Sequence, residues 1–136
     1  LARRLPLSFR SPGHPPMQFT VHQRFFFDAA HTLQREVEAA GSRRIHGHTY
    51  HAEISVAGPR DPETGMVIDL GHLRTRCAAL REQLDHHLLD EVPGLGPATL
   101  ENLCVFIATA LADLRPAPSR VRVWREGVGD GCVLDL

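Results

Sequence analysis

Arg44-Ile45-His46-Gly47-His48-Thr49-Tyr50 opens an alternating run that continues to Val56. In an extended chain successive side chains point to opposite faces, so His46 and His48 share one face of a strand. Ala52, Ile54 and Val56 continue the face that His46, His48 and Tyr50 begin, and Gly47 keeps the opposite face bare. Two imidazoles at this spacing can reach one metal ion, and imidazole suits zinc. A catalytic zinc takes three protein ligands and keeps a fourth position for water or substrate, so the pair is one ligand short.

The segment before it offers the third. Phe19, Val21, Phe25 and Phe27 alternate with Gln18, Thr20, His22 and Arg24, which predicts a half-buried strand from Met17. Through Phe25-Phe26-Phe27-Asp28-Ala29-Ala30 it runs on to His31. If the two segments pair antiparallel, His31 arrives beside His46 and His48, a three-histidine site without thiolates and with one open position. The alternative is a half-buried strand carrying unrelated imidazoles.

Downstream, Gly58-Pro59-Arg60-Asp61-Pro62-Glu63-Thr64-Gly65 carries too many turn formers for a regular element, and Met66 to Leu70 is expected to be a short strand. Leu70, Leu73, Cys77, Leu80, Leu84 and Leu88 recur at helical spacing and predict a helix ending near Asp85-His86-His87. After the breakers Pro93, Gly94, Gly96 and Pro97, Thr99 is the expected N-cap of a second helix striped by Leu100, Leu103, Phe106, Ile107, Ala110, Leu111 and Leu114. Arg120 to Glu126 alternates again, and a turn at Gly127 to Gly131 leads to a last strand, Cys132 to Leu136. This order predicts an α+β fold, an antiparallel sheet with both helices on one face. Such a sheet keeps free edges and an uncovered face, which oligomerisation would cover.

With 136 residues, 43% of them hydrophobic, the chain has the length of one domain with a real core. We expect that domain over 17–136, preceded by a mobile arm over 1–16 that holds Pro6, Pro12, Pro15 and Pro16. Fifteen basic residues, all Arg, against sixteen acidic ones give a net charge of -1, so no polycationic surface points to nucleic acid. No apolar run approaches the roughly 20 residues of a membrane span. Leu1 to Pro16 lacks the apolar core of a signal peptide, so a cytoplasmic location is expected. Cys77, Cys104 and Cys132 are odd in number and widely spaced, and they are expected to be free thiols.

Other polar groups suit proton transfer or ligand binding. In Asp85-His86-His87 a carboxylate beside an imidazole fixes its tautomer and brings its pKa near neutrality, as proton transfer requires; the alternative is histidines facing the negative end of a helix dipole. Gln34 to Ser42 is a polar loop before the histidine pair, and its Glu36 and Glu38 either reach inward or solvate the loop. Glu101 fits the first turn of a helix. Glu126, at a strand end before a Gly-rich turn, is placed to project into a pocket, where a carboxylate accepts two parallel hydrogen bonds from the amino-pyrimidinone edge of a pterin or guanine.

Six stretches in register, Phe27-Asp28-Ala29-Ala30-His31, His46-Gly47-His48, Gly65-Met66-Val67-Ile68-Asp69, Leu84-Asp85-His86-His87-Leu88-Leu89, Thr99-Leu100-Glu101-Asn102 and Glu126 before a Gly-Cys turn, resemble the 6-pyruvoyl-tetrahydropterin synthase family, which includes the 6-carboxy-tetrahydropterin synthases. The resemblance implies the tunnelling fold, with trimers of four-stranded sheets stacked into a hexamer. It implies that His31, His46 and His48 hold Zn2+, that Asp85 and His86 are the proton-transfer pair, and that Glu126 anchors the pterin with Thr99 and Glu101 lining the pocket. The implied substrate is dihydroneopterin triphosphate, whose side chain becomes a pyruvoyl group in one branch and a carboxylate, with release of acetaldehyde, in the other.

One position departs from the pattern. The family's general base is a cysteine, four residues before His-x-His in the carboxy branch, where this chain has Ser42. A serine hydroxyl loses its proton far less readily than a thiol. A further branch places a glutamate three before the motif and cleaves the side chain by a retro-aldol route to 6-hydroxymethyl-dihydropterin; here that position is Arg43. The open alternatives are therefore an aldolase-like enzyme with Glu36 or Glu38 as base, or a pterin- or purine-binding oligomer without chemistry.

Overall fold

The two alternating stretches form the two longest strands of the protein, whose computed structural model describes residues 17–136. β1 (Phe19–His31) and β2 (His46–Gly58) pair antiparallel over their whole length, from Phe19 opposite Gly58 to His31 opposite His46. β3 (Arg120–Arg125) adds to β2 and β4 (Asp130–Asp135) to β3, giving one four-stranded antiparallel sheet in the order β1-β2-β3-β4. Between β1 and β2 lies α1 (Ala39–Arg43); α2 (Leu70–Leu84) and α3 (Leu100–Ala110) separate β2 from β3. The arm expected over 1–16 lies outside the described residues.

The alternation decides which face is covered. Phe27, Tyr50, Ala52, Ile54, Val56, Val121 and Val123 all point to the face on which α2 and α3 pack, and each is at most 1% exposed. α2 contributes Leu73, Cys77, Leu80 and Leu84 to this core, and α3 contributes Leu103, Cys104 and Ile107. The caps are those the sequence predicts for the second long helix and an additional one for the first: Thr99 Oγ1 accepts from the Asn102 amide at 3.1 Å, and Asp69 Oδ1 accepts from the Gly71 amide at 2.8 Å. Cys77, Cys104 and Cys132 are free, as expected.

Two local expectations are corrected. Met66 to Leu70 is not a strand. The Met66 carbonyl closes the Asp61 to Thr64 turn by accepting from the Asp61 amide at 2.8 Å, Val67 and Ile68 pack on the core from an irregular backbone, and Asp69 already caps α2. Gln34 to Ser42 is not loop throughout, since α1 begins at Ala39; the Ser42 amide donates to the Glu38 carbonyl at 3.0 Å, and the Ser42 carbonyl accepts from the Leu33 amide at 2.7 Å. Small residues at 39–42 let that single turn tuck against the end of β1. Among the described residues no helix is long and apolar enough to cross a membrane.

Candidate metal centre and ligand pocket

Register alone assembles the three histidines. His31 ends β1 directly opposite His46 at the start of β2, and His48 lies two residues further on the same face, opposite Ala29. The ring centroids are 4.4 to 4.9 Å apart with the rings steeply inclined to one another, and one ligand atom of each lies within 4.8 Å of the others.

Each ring makes a hydrogen bond that orients it. His31 Nδ1 donates to the Ala98 carbonyl at 2.9 Å, just before the N-cap of α3, and His46 Nδ1 donates to the Arg44 carbonyl at 2.7 Å. A carbonyl can only accept, so in the neutral imidazole the lone pair is on Nε2. His48 Nε2 accepts from Arg125 Nη1 at 3.2 Å, which again requires the lone pair on Nε2. Outer hydrogen bonds of this kind orient metal-binding imidazoles. His31 is 1% exposed, and its Nε2 has no hydrogen-bond partner. Burial lowers the pKa of His31, and burial followed by the Arg125 charge lowers that of His48 to about 4, so both are neutral at physiological pH. Three clustered imidazoles, with His31 Nε2 buried and without a partner, are a donor set that fits zinc.

A cavity of about 400 Å³ opens beside His31 and is bordered by Tyr50, Thr99, Glu101, Arg125 and Asp130. Burial pushes the Tyr50 phenol up to about 12, so it is a hydrogen-bond donor at neutral pH. A second, more open hollow of about 540 Å³ lies by Asp28, Gly47, His48, Thr49, His86 and His87.

Asp85 caps α2, and the chain after it runs beside β1: the His86 amide donates to the Asp28 carbonyl at 2.7 Å and the Ala30 amide to the His87 carbonyl at 3.1 Å. His86 Nδ1 donates to Asp85 Oδ2 at 2.8 Å, leaving Nε2 of an exposed ring free. Asp85 Oδ1 accepts from the Asp28 amide at 2.9 Å and Oδ2 from Arg81 at 3.2 Å, and these contacts, the amide first, hold its carboxyl below the ordinary value of 3.8.

The cavity thus brings His31, Thr99 and Glu101 together, whereas His86 borders the second hollow, with Asp85 bonded to its Nδ1. Ser42 is buried on α1, and Glu36 and Glu38 are exposed and line neither space. Glu126 is exposed in the β3–β4 turn and lies outside the cavity; the inward position belongs to Arg125. Residue type favours Glu126 in the sequence, but the alternation that buries Val121 and Val123 already assigns Arg125 to the same face. Asp130, its partner, has no signal in the sequence before β4 is paired with β3.

The model of the family described as 6-pyruvoyl tetrahydropterin synthase matches residues 20–135. The chain belongs to this family. Among 6-pyruvoyl tetrahydropterin synthase relatives, it is 33% identical over 98 residues to the 6-carboxy-5,6,7,8-tetrahydropterin synthase of Synechocystis, covering 68% of this chain and 74% of that protein. It is 33% identical over 113 residues to the human 6-pyruvoyl tetrahydrobiopterin synthase, covering 73% of this chain and 78% of that protein. The Caenorhabditis elegans 6-pyruvoyl tetrahydropterin synthase structure superposes with a TM-score of 0.77 at 22% identity, covering 89% of this chain and 97% of that one, and has the same fold. The sheet and helices are those of the tunnelling fold.

Proposed function

We propose that this protein is a zinc-dependent lyase that acts on dihydroneopterin triphosphate or a related pterin, with a proton-transfer apparatus that does not use a cysteine thiol. The observation that carries the reading is the cluster of His31, His46 and His48, with His31 Nε2 buried without a partner, beside a cavity that His31 borders together with Thr99 and Glu101. His31, His46 and His48 would hold the ion, which would supply Lewis-acid chemistry to a substrate hydroxyl there.

The chain's own residues supply the rest. Asp85 accepts from His86 Nδ1 and so keeps His86 Nε2 available to take or give a proton. Of the carboxylates offered for the amino-pyrimidinone edge, Glu101 is the one that stands in the cavity with Thr99. Ser42 has no thiol chemistry to offer, and Glu36 and Glu38 point to solvent, so His86 is the residue best suited as base.

A homo-oligomer, a hexamer by family analogy, fits the surface. The sheet face away from α2 and α3 exposes Phe26 at 52% and Val133 at 48%, and among the described residues no strand pairs with the outer edge of β4 or with that of β1 ahead of Asp28.

The test is a product assay in which zinc-loaded protein is incubated with dihydroneopterin triphosphate and the products are resolved by mass. A carboxy- or pyruvoyl-tetrahydropterin that disappears in H86A supports the proposal. 6-Hydroxymethyl-dihydropterin assigns the chain to aldolase-like cleavage instead, and unchanged substrate overturns the reading.

A further inference from the structure

Arg125 is the residue of the cavity wall that pterin chemistry leaves without a task. It ends β3 on the core face, is 5% exposed, and borders the cavity next to His31, Tyr50 and Glu101. Its Nε donates to Asp130 Oδ1 at 2.9 Å and its Nη2 to Asp130 Oδ2 at 2.5 Å, while Nη1 donates to His48 Nε2 at 3.2 Å. A guanidinium has five N–H groups, so these three bonds leave one on each terminal nitrogen. The Tyr50 hydroxyl also lies close against it.

The geometry is that of a fixed donor pair. Asp130, from the first residue of β4, clamps the guanidinium side-on and orients its free end, and a second guanidinium, Arg35, lines the same cavity. Asp130 is engaged by Arg125, which leaves Glu101 as the remaining carboxylate of the cavity lining. An amino-pyrimidinone edge presents N–H donors and would meet donors at Arg125, whereas a carboxylate or phosphate presents paired acceptor oxygens that match the fork.

We propose that Arg125, and not Glu126, determines specificity in this cavity, and that it reads an anionic group, a carboxylate or a phosphate, on the ligand beside the three histidines. The inference rests on the cavity being the ligand site, as in the proposed function, but not on the ligand being a pterin. Arg125 takes no part in proton transfer. Its interaction with His48 also makes it a neighbour of the metal site, so an anion seated on its free end would lie next to the ion.

The test is calorimetric titration of the full chain with three probes: inorganic phosphate, unsubstituted pterin and pterin-6-carboxylate. Phosphate affinity is expected to fall at least tenfold in R125Q and to stay within twofold in E126Q. The wild type is expected to prefer pterin-6-carboxylate to pterin by tenfold or more, and R125Q to lose that preference. If R125Q does not fold, R125K serves in its place, because it keeps the charge but loses the fork and should weaken both effects. Phosphate binding that is equal in the wild type and the Arg125 variants, or a wild type indifferent to the carboxylate, overturns the inference while the pterin proposal stands. Phosphate binding that tracks Arg125 when neither pterin binds overturns the pterin proposal and keeps the inference.

Discussion

The two strand ends that meet at the cavity are built in opposite ways. Where β1 meets β2, three imidazoles cluster, and His31 Nε2 is buried with nothing to bond. Where β3 meets β4, Arg125 and Asp130 form a complete ion pair with a two-point fork. One end is unfinished without a cation, and the other carries its own. The histidine end should therefore govern what binds, while the arginine end should govern both what binds and how firmly the hairpin holds.

Breaking the first end gives the largest effect. H46A removes a ligand, and because loss of an outer hydrogen bond alone costs about 10- to 100-fold in metal affinity, zinc affinity by chelator competition should fall by more than about a hundredfold. The metal-free protein should meanwhile shift its unfolding free energy by less than about 1 kcal/mol, since His46 is only partly buried and its loss strands no charge. A comparable loss of stability in the metal-free state would erase the contrast.

Breaking the second end is the next largest. D130A leaves a guanidinium whose side chain is 6% exposed without its carboxylate, although Asp130 itself is 42% exposed and so partly screened. Denaturant melts should show a loss of roughly 1–3 kcal/mol, without any need for metal. An unchanged midpoint would mean that water replaces the carboxylate fully.

A third, smaller effect sharpens the comparison away from both ends. The Asp85 carboxyl is held below its ordinary value of 3.8 chiefly by the Asp28 amide, so its folded-state pKa is lower than its unfolded one. Its stabilisation is complete above the unfolded value and is lost as pH falls through the folded one, because the unfolded chain then binds the extra proton. Acid melts of wild type and D85N should thus differ at neutral pH and converge in strong acid. Parallel curves would assign the Asp85 contacts no role in stability.

The strands and the histidine site were legible because period-two alternation and burial of one face leave a single workable register: Phe27, Tyr50, Ala52 and Ile54 must face α2, and His31, His46 and His48 follow. Met66 to Leu70 misled because Val67 and Ile68 are apolar but have no free strand edge to join, and Asp69 is better used as a cap. α1 was hidden because five residues carry too little periodicity to register. Arg125 was hidden by chemistry: a charged residue at a core-facing position runs against composition, and only the fork from Asp130, across a turn, makes its burial tolerable.

That alternation at the end of β3 makes the sign of the cavity wall a matter of counting. Arg125 and Glu126 are adjacent and face opposite ways, so removal of Trp124 would turn the acid inward and the base out. A tenant held by its acidic edge and one held by its oxygens are separated here by a single codon's length, without any new side chain.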